Sequence, residues 1–312
     1  MFSFLNPFDV VFSERYFTPF IPSPAGLNFN IGDSVSLSCF AKFGKFFGGI
    51  SFKRPSNVFF DTLIDLSKLY LGKISGERFL GFSFEIGLSE QKNTFSGEIF
   101  GLDRHAYVAP SIYHSFISKG DLFNFSFSLP FYNHKFFTVT DTLNKNSGFS
   151  YNINFLSIHR FSTQWFIVSE FSLSKINLKK TFKTIQQFAN FDSVLNFSNF
   201  YSQAVLFYNP FGNTFISNGL KIYSAPDSSC FKYVVEGLYE VSRFFDVMGT
   251  FTYSFASYER VLSSLEVHNL HTKFGDASLG LRFKKDFMSL AFWISPESLK
   301  FESFSLQVKF VK

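Results

Sequence analysis

The chain has 312 residues, 51 of them phenylalanine, with 46 % hydrophobic residues, a net charge of +5 and a mean hydropathy of +0.10. No apolar run approaches the ~18 residues of a membrane helix, so a membrane protein of this sequence crosses with strands. The mild basic excess forms no nucleic-acid footprint, and two cysteines, Cys39 and Cys230, are too few for a disulfide framework.

Phenylalanine recurs at every second position, as in Leu122-Phe123-Asn124-Phe125-Ser126-Phe127-Ser128-Leu129 and Phe304-Ser305-Leu306-Gln307-Val308-Lys309-Phe310. That is strand periodicity, apolar on one face and small or polar on the other. An AT-rich genome enriches phenylalanine, but codon bias does not create a period of two. A soluble sandwich would share the period, yet the aromatic volume exceeds what the core of a sandwich of this size packs. The pattern therefore predicts an all-β fold, a 16-stranded antiparallel transmembrane β-barrel with an apolar belt outside and a polar lumen.

In chain order, residues 1–24 read as a short N-terminal arm closed by Ile21-Pro22-Ser23-Pro24, and residues 25–312 as the barrel. The arm lacks an Arg-rich amphipathic presequence and a basic stretch followed by a cleavable apolar core. Alternation and turn signals place strands near 25–31, 33–42, 45–54, 59–70, 78–88, 91–103, 106–117 and 122–131. A second set falls near 148–157, 161–175, 192–206, 213–224, 243–255, 276–285, 287–295 and 302–311. An even count lets first and last strands meet antiparallel, which a bilayer demands because unpaired backbone groups in hydrocarbon are costly. Segments 132–147, 225–242 and 256–275 read as long loops. Leu178, Phe182, Ile185 and Ala189, with Lys179, Lys180 and Lys183 between, read as a short basic helix or ordered loop over 177–190.

The sequence offers no covalent chemistry. His268 and His271 stand close together in an expected loop but without neighbouring cysteines, so no metal site is expected. No phosphate loop, nucleophile elbow or framed acid pair occurs. No enzyme activity and no cofactor are expected. Charges within expected strands say more, because a lipid-facing charge at mid-bilayer costs about 2 to 4 kcal/mol. Lys221, Arg243 and Arg282, with Lys309, are therefore expected to face the lumen or to sit at a rim, as a solvated pore wall.

Three C-terminal segments carry a family resemblance: Ala277-Ser278-Leu279-Gly280-Leu281-Arg282-Phe283, Phe287-Met288-Ser289-Leu290-Ala291-Phe292-Trp293-Ile294-Ser295-Pro296, and Phe304 to Phe310. They resemble the last three strands of the barrel subunit of the mitochondrial sorting and assembly machinery, in the BamA superfamily of outer-membrane insertases. Gly48-Gly49-Ile50-Ser51-Phe52-Lys53-Arg54-Pro55, with Asn57, Phe59 and Leu66-Ser67-Lys68-Leu69-Tyr70, is similar to that family's third and fourth strands, and Phe191-Asp192-Ser193-Val194 to the start of its eleventh. Two departures stand out: the family's N-terminal soluble domain has no counterpart in the two dozen residues before the first strand, and Phe207-Tyr208-Asn209-Pro210-Phe211-Gly212 runs into the next strand without the family's Arg-Gly-Phe loop.

The resemblance implies a mitochondrial outer-membrane protein that folds and inserts precursor β-barrel proteins, working with other subunits of an assembly complex in the lipid bilayer and without nucleic acid. It implies a lateral gate between the first and last strands, formed by Leu27, Asn28, Phe29 and Asn30 and by Phe304, Leu306, Val308 and Phe310. Asparagine is depleted in strands, so a seam of about three to five hydrogen bonds at about 1 kcal/mol each is expected to open and receive a precursor strand by β-augmentation. The alternative is a passive outer-membrane channel, a porin or translocase pore of nineteen strands. Its C-terminal pattern is partly met by Ser303, Ser305, Val308 and Phe310. A third reading is a structural anchor in a larger complex.

Overall fold

The computed structural model describes residues 25–31, 34–55, 63–95, 98–138, 142–162, 164–183, 190–209, 213–225, 228–263, 266–285, 288–295 and 300–310. Among these the regular structure is all strand: β1 (Ala25–Ile31), β2 (Ser34–Phe43), β3 (Phe46–Pro55), β4 (Leu63–Ser75), β5 (Arg78–Phe95), β6 (Glu98–Ser118), β7 (Asp121–Ser128), β8 (Phe131–Thr138) and β9 (Thr142–Arg160). The second half supplies β10 (Trp165–Lys183), β11 (Asn190–Tyr208), β12 (Thr214–Ala225), β13 (Ser228–Ser242), β14 (Phe245–Ser263), β15 (Glu266–Lys285), β16 (Met288–Ser295) and β17 (Lys300–Phe310).

Sequence neighbours other than β7 and β8 pair antiparallel, and β1 pairs with both β2 and β17, so the ladder forms a ring. β7 and β8 are two halves of one stave. β7 pairs with the last turnward residues of β6, Ser111–Ser118, β8 pairs with Gly101–Val108, and both pair with β9. The break falls at Leu129-Pro130, beside Pro110 of β6. A proline donates no ladder bond; here the Leu129 N–H donates to the Pro110 carbonyl at 3.0 Å and the Ser150 N–H to the Pro130 carbonyl at 2.8 Å, so the wall stays bonded across the break. Seventeen segments thus make sixteen staves.

The count of sixteen matches the sequence reading, although two differences offset one another. Residues 78–117 form two strands where three were expected, since β5 and β6 stay in register from Arg78↔Phe116 to Phe95↔Glu98. Residues 225–242, expected as a loop, hold β13, whose inward Val234 and Leu238 and outward Phe231 and Tyr233 put apolar residues on both faces and blur the period. The other two long loops hold strand as well: 132–138 belong to β8 and 142–147 to β9, and 256–263 and 266–275 belong to β14 and β15, with residues 139–141 and 264–265 outside the described set. The expected helix is also corrected. Asn177–Lys183 continue β10, with Leu178 paired to Leu195 and Gly148. Leu178, Lys180 and Phe182 also recur at every second position, and that period wins; residues 184–189 lie outside the described set.

Tight turns mark one rim, here the turn rim: Gly44-Lys45, Gly76-Glu77, Lys119-Gly120 and Arg243-Phe244. Lys119 (φ 50°) and Gly120 (φ 90°) both adopt the positive φ that two-residue hairpins need. β1 begins and β17 ends at this rim. The wall is uneven in height: β1, β2, β3, β16 and β17 have 7, 10, 10, 8 and 11 residues, whereas β5, β6, β9, β10, β11, β14 and β15 have 18, 21, 19, 19, 19, 19 and 20.

The two faces are inverted relative to a soluble protein. Leu80, Phe82, Phe84, Ile86 and Leu88 along β5 are all exposed, while the alternating Phe79, Ser83 and Gly87 are buried. On β10 the outward residues run from Trp165 through Phe171 and Leu173, after which Lys175 and Lys179 face out. That apolar span of nine residues is the reach of a tilted membrane strand, about 9 to 11 residues. The longer strands therefore project beyond the bilayer on the far side. There they need no apolar alternation, which is why 132–147 and 256–275 look like loops in the sequence.

Inside the turn rim the lumen wall carries three apolar clusters: Leu122, Leu156, Ile158, Val168 and Phe207; Phe47, Tyr70, Phe79 and Tyr113; and Leu238, Met248, Ala291 and Trp293. Glycine makes two of them possible. The Phe79 ring lies over Gly72 and Gly81, where an added Cβ would come within 2.1 and 2.4 Å of it, and Trp293 lies within 2.8 Å of a Cβ at Gly280. Gly81→Val should destabilise the barrel by about 1 to 3 kcal/mol, and Phe79→Ala should remove most of that penalty, read from urea unfolding of the reconstituted protein. The barrel itself should resist alkaline carbonate extraction and migrate faster on gels when unheated.

Candidate functional site: seam and lumen wall

The first and last strands meet over seven residues, Ala25↔Phe310, Gly26↔Lys309, Leu27↔Val308, Asn28↔Gln307, Phe29↔Leu306, Asn30↔Ser305 and Ile31↔Phe304. The residues singled out in the sequence, Leu27 to Asn30 and Phe304, Leu306, Val308 and Phe310, are thus brought together in antiparallel register. The ladder is longer than three to five bonds but the shortest strand still limits it. The β10–β11 ladder on the opposite wall runs from Trp165↔Tyr208 to Lys183↔Asn190. Register sets Asn28 between Ser38 and Gln307, and Asn30 between Ser36 and Ser305. The other face of the seam holds Leu27 and Phe29, both half-buried, against Val308 and Leu306. Small polar positions on one side and apolar ones on the other follow from the period of two.

The expected lumen charges divide. Lys221 lies on the lumen face of β12, in line with the buried Ser217 and Gly219 and directly across from Lys232 of β13. Arg282 also faces inward. Its Nε donates to Asp246 Oδ2 at 2.6 Å and its Nη2 donates to the same oxygen, with Asp246 fully buried. Lys284 Nζ reaches Asp246 Oδ1 at 2.8 Å and donates to Glu240 Oε1 at 3.0 Å. Arg243 takes the rim position of the two expected, not the lumen: it sits exposed in the turn between β13 and β14, its guanidinium 4.4 Å from the centroid of the Phe244 ring. Arginine ends that strand where a two-residue turn reaches solvent. Lys309 pairs in register with Gly26.

Sequence reading missed the larger lumenal network on the opposite wall. Lys68 Nζ lies 3.4 Å from Glu85 Oε2 and over the rings of Tyr70 and Tyr113, at 5.2 and 5.8 Å from their centroids. Ser83 Oγ and Tyr113 Oη share a hydrogen bond of 3.0 Å. Further round, Asn154 Nδ2 donates to Ser126 Oγ at 3.0 Å and accepts at Oδ1 from Ser172 Oγ at 2.6 Å. These groups border a lumenal cavity of about 400 Å³. Parity could have found them: Lys68 and Glu85 each alternate with outward Leu69, Leu71, Phe84 and Ile86, so both must face inward. Glu236, also buried and inward, accepts from Ser217 Oγ at 2.9 Å.

At the turn rim Asp121 clamps β7 to β9, with His159 Nδ1 2.6 Å from Oδ2 and the Arg160 N–H donating to Oδ1 at 3.1 Å. Desolvation works against the charge, but the bonds from His159 and Arg160 outweigh it and hold the carboxyl below its usual pKa. Among the described residues no group of three or more histidine, cysteine, aspartate or glutamate side chains could hold a metal ion. His268 and His271 lie in β15 rather than in a loop, paired with Arg260 and Ser257. Cys39 and Cys230 are both free.

No family model matches the chain, and no curated protein resembles it in sequence. Solved structures do. CdiB from Escherichia coli superposes with a TM-score of 0.62 at 10 % identity, over 94 % of this chain and 64 % of that one. CdiB from Acinetobacter baumannii gives 0.58 at 11 % identity, over 92 % and 60 %. The ferric yersiniabactin uptake receptor FyuA from Yersinia pestis gives 0.52 at 10 % identity, over 89 % and 55 %. The chain spans about six-tenths of the length of these proteins, and the likeness is one of fold: a large antiparallel transmembrane β-barrel.

Asp246 is the charge on which the inner wall near β14 and β15 turns. Asp246→Ala leaves Arg282 and Lys284 facing each other without their shared carboxylate and should cost about 3 to 5 kcal/mol. Arg282→Met should cost less, because Lys284 remains on Asp246; unfolding midpoints in urea would rank the two.

Proposed function

We propose that this barrel is an outer-membrane insertase of the sorting-and-assembly-machinery type, which folds and inserts precursor β-barrel proteins through the seam between β1 and β17. The observation that carries the reading is the seam's place in the wall. A seven-residue ladder closes the ring in the part where the neighbouring strands are also short, 10, 10, 8 and 11 residues, while the opposite wall uses strands of 19.

The energetics follow from length. At about 1 kcal/mol net per backbone bond, seven paired residues resist opening by about 7 kcal/mol, far less than the long ladders. In hydrocarbon an opened edge carries unsatisfied groups that each cost several kcal/mol. The seam therefore opens when an incoming strand replaces the lost bonds, which is β-augmentation. Among the described residues β1 is shorter than the roughly 9 to 11 residues that span a bilayer, a mismatch that a locally thinner membrane beside the seam would accommodate.

The CdiB barrels are transporters of the BamA superfamily, and their likeness supports this superfamily for the fold. The C-terminal strand signatures favour its mitochondrial branch, and with it the outer membrane of the mitochondrion, precursor barrels as substrates and companion subunits of an assembly complex. No enzyme chemistry and no cofactor enter this mechanism: strand exchange breaks and makes hydrogen bonds only. One departure noted in the sequence, the lack of the Arg-Gly-Phe loop, remains. Tyr208 ends β11 and Thr214 begins β12, leaving no room for a long lumenal loop there. A passive channel of nineteen strands would close through a parallel pair, whereas the β1–β17 pair is antiparallel.

The test is a reversible lock. In a Cys39→Ser, Cys230→Ser background, Asn28→Cys with Gln307→Cys places a thiol at each of two directly paired positions, within reach of a disulfide. The oxidised protein should stay folded and stop assembling precursor barrels, and reduction should restore assembly. Unchanged assembly by the locked protein would show that the seam does not open.

A further inference from the structure

The outer surface of the β3–β6 wall carries a concave apolar groove of about 580 Å³ just inside the turn rim. Its walls are the outward side chains of Phe46, Leu71, Leu80, Phe82 and Ile112, which are 46 to 62 % exposed. Its floor is the backbone of Gly72 and Gly81, a directly paired couple. Neither glycine has a side chain, and the Phe79 ring backs both from the lumen side, so the wall here is one backbone thick and rigidly supported. The volume lies within the roughly 300 to 1,000 Å³ of small-molecule sites.

The turnward end of the groove is cationic. Lys73 lines it, Arg78 stands on the outward face at the start of β5, and Lys45 occupies the adjacent turn, all three exposed. Among the described residues none of the three is in an ion pair. Glu77 is the one acidic residue of the two adjoining turns, 44–45 and 76–77. Generic surface lysines at a membrane edge would not require a groove, and a groove filled by bulk lipid would not require unpaired cations at one end. Both occur at one place.

We propose that this groove is a binding site for an anionic phospholipid, with one acyl chain lying along the Gly72–Gly81 floor and the headgroup phosphate on Lys73 and Arg78. The site rests on the transmembrane fold and not on the insertase reading. Cations close to a membrane surface attract anionic headgroups, and a phosphate accepts charge-assisted bonds from lysine and arginine better than a zwitterionic headgroup, whose own ammonium competes. The acyl chain adds burial of the five apolar side chains that would otherwise meet mobile lipid.

Native mass spectrometry of the full-length protein released from detergent micelles tests this. Phosphatidylglycerol should remain as a discrete adduct under conditions that strip phosphatidylcholine of the same acyl chains, and glycerol phosphate without chains should not bind. Lys73→Gln with Arg78→Gln should lower phosphatidylglycerol occupancy about tenfold, whereas Lys73→Arg with Arg78→Lys should retain it. Leu80→Trp, which fills the groove and leaves the charges in place, should lower it as well. Gel mobility without heating confirms the fold of each variant, and the two single glutamine variants are read separately if the pair does not fold. Equal retention of phosphatidylcholine, undiminished binding by the charge-removed variants, or equal binding of glycerol phosphate would overturn the site. None of these readouts depends on precursor assembly.

Discussion

Everything in this molecule depends on one constraint: a backbone polar group facing hydrocarbon must be bonded within the wall. A sheet satisfies it only by closing on itself. Here closure joins sixteen staves with antiparallel ends, and the β1–β17 pair supplies the last ladder. The same constraint explains how the β7–β8 stave is allowed to break. Pro110 and Pro130 both lack an N–H, and the chain places them beside each other so that their carbonyls still accept, from Leu129 and Ser150. An interruption without those two bonds would leave an unpaired row in mid-wall.

Closure also decides which parts of the sequence are readable. Between residues 25 and 55 the expected strands fall within a residue or two of the observed ones, because Gly44 marks the hairpin and both faces of each strand keep one character. β13 escapes for the opposite reason: it faces lipid with Phe231 and Tyr233, and its lumen face joins the apolar cluster of Leu238, Met248, Ala291 and Trp293. A period of two vanishes when both faces are apolar. The extensions of β9, β10, β14 and β15 escape because neither of their faces meets lipid, while those of β5 and β6 read as strand but as a separate one.

The site was legible to the same extent and for the same cause. Register follows once the first and last strands are known, so Leu27 to Asn30 and their β17 partners could be read from the sequence. Arg282 could be placed on the lumen face from the cost of a charge in lipid. Its partner Asp246 could not, because a tight turn places Asp246 at the start of β14 and the inward pairing with β15 is set by the register of a hairpin whose far end looked like a loop. Arg243 could be placed only as lumen or rim, and the two-residue turn that resolves it toward the rim depends on β13, the strand that was not visible.

The lumen wall is graded along its axis, from apolar packing near the turn rim to polar and charged residues farther along. Near the turn rim, Asp246 is fully buried beneath two cations and lies on the wall beside an apolar cluster, while Arg282 and Lys284 keep part of their side chains exposed. Farther along the same wall, Lys221 and Lys232 stand directly opposite each other on neighbouring strands. Between them, Glu236 and Ser217 mark the boundary, a carboxylate with an inward hydroxyl partner and the apolar Leu238 two residues toward the rim. β1 begins and β17 ends at the turn rim, the end of the barrel where the apolar clusters of the wall lie, so side-chain packing and backbone pairing reinforce closure at the same end.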